Sequence, residues 1–168
     1  MKYFWRYVSP LGKMEMKSDD GINLSGLKFG EFDEFYGEFK EQNLQIFKDT
    51  CKWLDIYFNG NLPKFTPKIS LNSLYGSEFS KSVWQILCQI DYATTMTYGE
   101  IAEKIANKKC IAKMSAQAVG GAIKRNPIVI IIPCHRVLGR ARKLTGYAYG
   151  LDKKMALLDL ENPYNVNF

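Results

Sequence analysis

The 168-residue sequence predicts an α+β protein built from two parts, an αβ part over residues 1–75 and a mainly helical part over residues 76–168. Two observations lead to this division. Alternating and β-prone segments are concentrated before residue 30, whereas helical periodicity dominates the second half. The charge divides at nearly the same place, since residues 1–76 are neutral and the remainder carries the whole net charge of +6.

Three strands and one helix are predicted in the first part. Aromatic residues favour a strand over 3–8, strict alternation favours one over 13–17, and flanking turn signals set off a third over 22–29. Apolar residues at three- and four-residue steps predict an amphipathic helix over 41–58. A link that contains two prolines follows, and we place the domain boundary near residue 75.

Capping residues mark the helix starts in the second part. A helix begins at Ser77, and Thr97 with Glu100 three residues later forms the pattern of a capping box. Ser115 is the candidate N-cap of a further short helix over 116–125. Two short helices joined by a turn are typical of a helix-turn-helix motif, although any small helical domain contains such pairs.

The second helix of this pair is almost without side chains. It contains Ala116, Ala118, Gly120, Gly121 and Ala122, and each glycine costs a helix about 1 kcal/mol relative to alanine. Close approach of a ligand explains this composition, and close packing on a neighbouring helix explains it equally well. If the ligand is DNA, the helix is slim enough to enter a narrow groove.

The basic residues point to a polyanionic partner, most often nucleic acid, with a solvated basic surface as the alternative. Ten Lys and Arg residues and no acidic residue lie between Lys104 and Lys143. No apolar run approaches the roughly 20 residues that span a bilayer, and no signal peptide is recognisable. We therefore expect no membrane partner and a cytoplasmic location, nucleoid-associated or nuclear depending on the source.

The four cysteines are far apart in the sequence and form no CxxC pair. This spacing argues against a zinc ribbon or a disulfide framework and favours reduced thiols. With one histidine in the chain, we expect no metal site, and we expect no cofactor. Three of the cysteines, Cys51, Cys88 and Cys110, are interpreted as structural or incidental.

The fourth cysteine, Cys134, is a candidate nucleophile. It follows an aliphatic run over 128–132, which predicts a buried strand, and it precedes the only histidine, His135. A histidine can take the proton of a thiol, whose thiolate is the reactive form. The alternative is a structural cysteine beside a surface histidine, because neighbours in an extended segment point in opposite directions.

The segment Pro133–Val137 after an aliphatic run resembles the active-site motif of the O6-alkylguanine-DNA alkyltransferases (methylated-DNA–protein-cysteine methyltransferases). The resemblance covers nearly the whole chain. Further matching segments are Gly76–Phe79, Thr97–Ala102, Ala118–Ala122, Asn126–Pro127, Gly146–Tyr147 and Gly150–Leu151. The resemblance implies a ribonuclease-H-like αβ domain over 1–75 and a winged helix-turn-helix domain over 76–168. It also implies irreversible, single-turnover transfer of the alkyl group from O6-alkylguanine in DNA to Cys134, with O4-alkylthymine as a further candidate substrate.

The resemblance implies a role for each catalytic residue. Cys134 accepts the alkyl group, His135 acts as a base through a bridging water, and Glu161 orients His135. Asn126 steadies the turn between the groove helix and the active-site strand. Tyr98 presses on the target phosphate, helps to rotate the nucleotide out of the duplex and donates a proton to guanine.

The resemblance also implies a DNA-binding face and a base pocket. The short helix would enter the minor groove of double-stranded DNA that carries O6-alkylguanine, and the protein would act as a monomer. The DNA-binding residues would be Ala116, Gln117, Ala118, Gly121, Lys124, Arg125 and Arg136. The guanine pocket would be lined by Pro133, Val137, Tyr147, Ala148 and Tyr149.

Three features depart from the family pattern. Gln117 stands where the family commonly has an intercalating arginine, and we expect Gln117 to fill the same gap in the base stack. Tyr149 stands where many members have a small residue, and we expect it to narrow the pocket against bulky adducts. The extra residues Lys108–Ser115 in the helix-turn-helix link are expected to add phosphate contacts.

Two other functions stay open at this point. An alkyltransferase-like protein binds the lesion without chemistry, but that class replaces the cysteine, and Cys134 is present. A helix-turn-helix regulator with a structural Cys–His pair would not require Tyr98, Asn126 and Glu161 to match.

Overall fold

The computed structural model describes residues 1–32, 38–71 and 74–162 of the protein. The first half contains β1 (Lys2–Ser9), β2 (Gly12–Ser18), β3 (Gly26–Phe29), β4 (Phe39–Glu41) and α1 (Gln45–Phe58). The second half contains α2 (Glu78–Leu87), β5 (Met96–Thr97), α3 (Tyr98–Lys109), α4 (Ala116–Lys124), β6 (Val137–Leu138) and α5 (Leu151–Glu161). This mixture confirms the predicted α+β class.

Contacts divide the chain into two compact units. The first unit contains residues 1–74 together with 127–129, and the second contains residues 75–126 and the chain from 130 onward. The predicted link between the two parts includes residues 72–73, which lie outside the described residues.

The first unit is a four-stranded sheet in the order β3-β2-β1-β4, with α1 contacting β1. The β1–β2 and β2–β3 pairs are antiparallel, whereas β4 joins β1 in parallel. The third strand begins at Gly26 and not at the predicted residue 22, because Asp20 Oδ1 accepts hydrogen bonds from the amides of Ile22 and Asn23. These bonds hold the preceding residues in a turn.

The aliphatic run over 128–132 is not a continuous strand, so that expectation is wrong. The first residues of the run are hydrogen-bonded to Leu27. The Leu27 amide donates to the Pro127 carbonyl at 2.8 Å, and the Leu27 carbonyl accepts from the Val129 amide at 2.9 Å. The chain then turns at Ile130, whose φ of 70° lies in the left-handed region. The run is therefore divided between the two units.

The second unit is built on helices that start as the sequence predicts. Ser77 and Ser115 cap α2 and α4, and each side chain accepts a hydrogen bond from the amide three residues later. Thr97 and Glu100 form a capping box at the start of α3, with reciprocal bonds of 3.2 and 2.6 Å. These local bonds fix the helix-turn-helix pair α3–α4.

The helix-turn-helix pair is joined to α2 by a buried tryptophan. Trp84 is fully buried, and its Nε1 donates to the carbonyl of Ala122 in α4 at 3.0 Å. The short strands β5 and β6 pair in parallel, which places the start of α3 beside the segment that follows Cys134. No helix in the described part of the chain is both long and apolar enough to cross a membrane.

Candidate active site

Cys134 lies in a tight turn and not in an extended segment. Residues Cys134–Arg136 form one turn of 3₁₀-helix, which directly precedes β6. The Cys134 amide donates to the Ile132 carbonyl at 2.8 Å, and the Arg136 amide donates to the Pro133 carbonyl at 3.0 Å. The turn replaces the extended geometry that we expected, and both side chains are buried.

Glu161 in α5 is the centre of a buried hydrogen-bond network. Its Oε1 lies 2.7 Å from His135 Nε2, and its Oε2 accepts from Arg136 Nε at 2.8 Å. Arg136 Nη2 donates to Oε1 at 3.0 Å, and the Ala93 amide donates to Oε2 at 3.1 Å. Arg136 Nη1 donates to the Ile90 carbonyl at 2.6 Å, so the guanidinium also connects α5 to the segment that follows α2.

The hydrogen-bond network determines the charge states of Glu161 and His135. Burial alone would raise the pKa of Glu161, but hydrogen bonds from His135 and Arg136 and positive charge, from Arg136 and from His135 when it is protonated at low pH, outweigh burial and lower this pKa to about 2. Burial lowers the pKa of His135 below 6.5, although Glu161 partly opposes this effect. At neutral pH the carboxylate is therefore ionised and the imidazole is neutral, which leaves the imidazole able to accept a proton.

Two neighbours act on the Cys134 thiol. Burial raises the pKa of this thiol, while a hydrogen bond from Asn126 and the charge of Lys154 act in the opposite direction. Asn126 is itself buried after the end of α4, and its Nδ2 donates to the Ile132 carbonyl at 2.7 Å. The resting form is the thiol, so the site needs a base to generate the nucleophile.

Tyr98, the first residue of α3, lies between two glycines. An ideal Cβ on Gly120 would be 3.7 Å from the Tyr98 ring, and one on Gly146 would be 3.3 Å from its hydroxyl. Burial and the nearby Cys134 raise the pKa of Tyr98, so its hydroxyl keeps its proton at neutral pH. The structure thus brings Tyr98, Asn126, Cys134, His135 and Glu161 into one unit.

The predicted DNA-binding residues fall into two groups. The first group lies in and directly after α4 and is accessible to a ligand. Gly121 is half-buried, and the exposed members are Ala116, Gln117, Ala118, Lys124 and the C-cap Arg125. Arg136 is different, because only 9% of its side chain is exposed and its guanidinium is bound to Glu161 and Ile90. The expectation that Arg136 contacts DNA is corrected here, because its hydrogen-bonding groups are turned into the core.

The predicted pocket residues have unequal exposure. Pro133 and Val137 are buried, Ala148 is exposed, and Tyr147 and Tyr149 are half-buried. The two tyrosine rings meet edge to face with centroids 5.7 Å apart. No group among the described residues forms a hydrogen bond with the buried Tyr147 hydroxyl. Burial raises the pKa of Tyr147 well above its usual value, so this hydroxyl is a proton donor.

Lys154 belongs to a further segment of the family resemblance, Lys153–Lys154, to which the sequence analysis assigned no role. It is fully buried in α5, and its Nζ donates to the carbonyls of Val137, Thr145 and Gly146. A signal for it was present, since Lys154, Leu157, Leu158 and Glu161 share the spacing of one helix face. A lysine at the apolar positions of a helix indicates a buried cation.

No group of three His, Cys, Asp or Glu side chains within residues 1–32, 38–71 and 74–162 is placed to hold a metal ion. The cysteines of the chain are free thiols; Cys88 and Cys110 are exposed, and Cys51 is half-buried.

Two family models match the chain, one in each half. Residues 78–163 match the DNA-binding domain of 6-O-methylguanine DNA methyltransferase, and residues 2–71 match its ribonuclease-like domain. The second match confirms the expected class of the N-terminal domain.

Individual relatives agree with the family models. A methylated-DNA–protein-cysteine methyltransferase of Methanosarcina acetivorans is 42% identical over 95% of this chain and 97% of its own length. The protein of the same name from Haemophilus influenzae is 40% identical over 96% of this chain and 88% of its own. A crystal structure of Mycobacterium tuberculosis OGT in complex with DNA superimposes with a TM-score of 0.82 at 35% identity, covering 96% of this chain and 93% of that one. With Cys134, His135 and Glu161 assembled in its second half, the chain belongs to the methylated-DNA–protein-cysteine methyltransferase family.

Proposed function

We propose that this protein repairs O6-alkylguanine in double-stranded DNA by transferring the alkyl group to Cys134. The observation that carries this proposal is the buried Cys134 beside a neutral His135, which Glu161 holds at 2.7 Å. In this constellation, His135 can accept the proton of the thiol. It lies in the unit that also contains the helix-turn-helix pair, so nucleophile and DNA-binding elements share one scaffold.

The transfer proceeds by displacement at the alkyl carbon. His135 takes the Cys134 proton through a bridging water, and the Sγ–carbon bond forms as the bond from that carbon to O6 breaks. The electron pair of the broken bond stays on the guanine. The Tyr98 hydroxyl donates a proton to the base, and the imidazolium proton returns to Tyr98 through solvent. The products are unmodified guanine and S-alkylcysteine.

The thioether that forms is chemically stable, so we infer that each molecule reacts once. All of the groups that take part in the transfer belong to one chain, which supports action as a monomer.

Contact with the lesion requires the base to leave the duplex, because Cys134 is buried. We infer that α4 enters the minor groove and that Gln117 fills the gap in the base stack. Gly120 and Gly121 support this placement, since apart from the backbone of the helix itself no heavy atom comes closer than 3.6 Å to an ideal Cβ on either residue. Packing within the chain therefore does not require these glycines, which leaves close approach of a ligand as the explanation of their presence.

The flipped base would meet the pocket beside Cys134. Tyr147 offers a protonated hydroxyl that no described residue engages, and Tyr98 offers a second one. O6-alkylguanine carries ring-nitrogen acceptors and the O6 ether oxygen, which match such donors.

Intact-mass measurement tests the proposed function. The protein is incubated with a duplex that contains one O6-methylguanine, and we expect a gain of one methyl group that maps to Cys134. Cys134→Ser abolishes this gain, whereas Cys88→Ser, which removes an exposed thiol, leaves it unchanged. Tight binding to the lesion without a mass gain would instead indicate a lesion sensor, and indifference to the lesion would indicate a helix-turn-helix regulator.

A further inference from the structure

The chain turns sharply after β6, in the loop Gly139–Lys143. The Gly139 amide donates to the Lys143 carbonyl at 2.8 Å, and this bond closes the loop. Two of the residues inside it, Ala141 and Arg142, lie in the left-handed region, with φ of 56° and 57°. Glycine and asparagine adopt this conformation most readily, whereas other residues are held there at a cost in free energy. The loop is therefore not built from the residues that would form it most easily.

Arg142 binds the segment before α3 through its side chain. Its Nη1 donates to the Thr95 carbonyl at 3.2 Å and to Thr95 Oγ1 at 2.8 Å, and its Nη2 lies 3.5 Å from Glu100 Oε1. The other two cations of the loop behave differently. Within the described part of the chain, the side chains of Arg140 and Lys143 have no hydrogen-bond or ion-pair partner. The left-handed conformation thus brings one particular guanidinium to the start of α3.

Stability does not explain why an arginine occupies this position. The side chain of Arg142 is 55% exposed and that of Glu100 is 45% exposed, and an exposed ion pair contributes little to the free energy of unfolding. Two neighbouring left-handed residues other than glycine cost more than such a pair returns. The reason for the arginine must therefore lie in what its contacts hold in place.

The contacts of Arg142 lie on both sides of Tyr98 in the sequence. Thr95 precedes Tyr98 by three residues, and Glu100 follows it by two. The Glu100 carboxylate also caps α3, since its Oε2 accepts from the Thr97 amide at 2.6 Å. One guanidinium therefore fixes both ends of the short segment that carries the Tyr98 ring.

The position of the Tyr98 hydroxyl depends on this segment. Among the described residues, the hydroxyl has no hydrogen-bond partner that would hold it from the other side. It keeps its proton at neutral pH and lies close enough to Cys134 for the two groups to interact electrostatically. In a reaction that depends on alignment, a displacement of about 1 Å can slow the rate about a hundredfold. A displaced backbone at the start of α3 would therefore be felt at the reacting atoms.

We propose that Arg142 is a positioning residue of the transfer reaction, which fixes the segment Thr95–Glu100 and so places the Tyr98 hydroxyl for the flipped base. The proposal rests on the proposed function, in which Tyr98 donates a proton to guanine. Arg142 acts through the backbone of this segment. It exchanges no proton and contacts no reacting atom.

The first test compares Arg142→Gln, which removes the charge, with Arg142→Lys, which keeps it. Arg140→Gln is the matched control, because it removes one charge from the same loop. Single-turnover methyl transfer is measured at saturating duplex that contains O6-methylguanine. We expect Arg142→Gln to slow transfer about tenfold or more, Arg142→Lys to recover part of this loss, and the control to keep the wild-type rate. An unchanged rate in Arg142→Gln overturns the proposal.

Two further variants separate positioning from stability. Arg142→Gly releases the left-handed strain, so it should melt no lower than the wild type and still transfer as slowly as Arg142→Gln. A lower melting temperature together with the slower transfer would indicate a merely structural role. Tyr98→Phe lacks the hydroxyl, so adding Arg142→Gln to it should slow transfer much less than in the wild type. Full additivity of the two substitutions also contradicts the proposal.

The second test does not depend on repair. The ring signals of Tyr98 are followed by NMR in the DNA-free proteins and are assigned by their loss in Tyr98→Phe. We expect Arg142→Gln to shift these signals and Arg140→Gln to leave them in place, and unmoved signals in Arg142→Gln overturn the proposal. A wild-type protein that transfers no methyl group but shows this difference loses the proposed function alone.

Discussion

At the scale of single residues, the charged groups of the site are arranged around one carboxylate. Glu161 accepts hydrogen bonds from Arg136 and Ala93 and lies 2.7 Å from His135 Nε2. A buried ion pair contributes little by itself, but removal of one partner leaves a buried charge without compensation. The carboxylate therefore supports the fold and the orientation of His135 together.

We expect Glu161 to make stability depend on acid pH. Its pKa is lowered from 4.5 to about 2, so the stabilisation is complete above about pH 4.5 and is lost as the pH falls towards 2. The shift corresponds to at most about 3 kcal/mol at neutral pH, because part of it comes from protonated His135, which is neutral there. Denaturation of Glu161→Gln should show a deficit of this size at pH 7 that shrinks below pH 4.5. The exposed Glu103→Gln is the control, and a deficit of equal size at pH 3 and pH 7 would contradict this assignment.

Tyr149 provides a second prediction at this scale. Its ring meets Tyr147 edge to face at 5.7 Å, on the segment that we place at the guanine pocket. Replacement by alanine opens space on that side, so Tyr149→Ala should raise the ratio of benzyl to methyl transfer rates about tenfold. The exposed Tyr75→Ala serves as the control. If the wild-type protein takes benzyl groups as readily as methyl groups, Tyr149 does not restrict the pocket.

At the scale of elements, α4 illustrates a conflict between stability and binding. Gly121 has no neighbour closer than 3.6 Å to an ideal Cβ, the nearest being Arg125 Nη1. Alanine therefore fits the folded helix and favours it by about 1 kcal/mol. The glycine is retained at a cost to the helix, which is expected for a surface that a ligand approaches closely.

We expect Gly121→Ala to melt at a higher temperature and to bind lesion-containing duplex more weakly. The reason is that the added methyl group stabilises the helix but separates it from the groove floor. Melting curves and duplex affinity measure the two effects, and transfer from free O6-methylguanine base should be unchanged because the site itself is intact. Undiminished duplex affinity would show that this face of α4 does not lie against DNA.

The intercalating role of Gln117 is tested on the same helix. Gln117 is exposed one residue after the start of α4, where it can replace a flipped base in the stack without adding charge. Gln117→Ala should slow repair in duplex DNA more than repair in single strands, because only the duplex has a gap to fill. Equal repair of duplex by the variant and the wild type would remove this role.

The elements also show what the sequence predicts well. The caps at Thr97 and Ser115 are correct, because each depends on hydrogen bonds between residues three apart, and the helix predicted to begin at Ser77 is present with Ser77 as its cap. The turn at Ile130 was not predicted because it depends on Leu27, which binds Pro127 and Val129 from about a hundred positions away in the sequence. Arg136 was misplaced for a similar reason, since its partner Glu161 lies 25 residues further along the chain.

At the scale of the whole molecule, charge separates the two halves of the sequence. Residues 1–76 carry no net charge, and the remainder carries +6. An uneven distribution of this kind attracts a polyanion to one part of the chain. The sequence alone left a solvated basic surface as an equal alternative, and the match of residues 78–163 to the DNA-binding domain of 6-O-methylguanine DNA methyltransferase now favours DNA as the partner.

The salt dependence of DNA affinity tests whether the helix-turn-helix link, Lys108–Ser115, contacts phosphates or only adds to the general electrostatic attraction. Lys108, Lys109 and Lys113 are exposed in and after the last turn of α3, where they can reach phosphates beside α4. Each phosphate contact contributes about 0.9 to the slope of log affinity against log salt concentration. Replacing the three lysines by serine should make this slope shallower by up to about 3, while transfer from free O6-methylguanine base is preserved.

The matched variant replaces three exposed lysines of the neutral half, Lys48, Lys64 and Lys68, and has the same net charge. If both triple variants lower the slope equally, the link makes no specific phosphate contacts; if only the first does, the basic link is part of the DNA-binding surface.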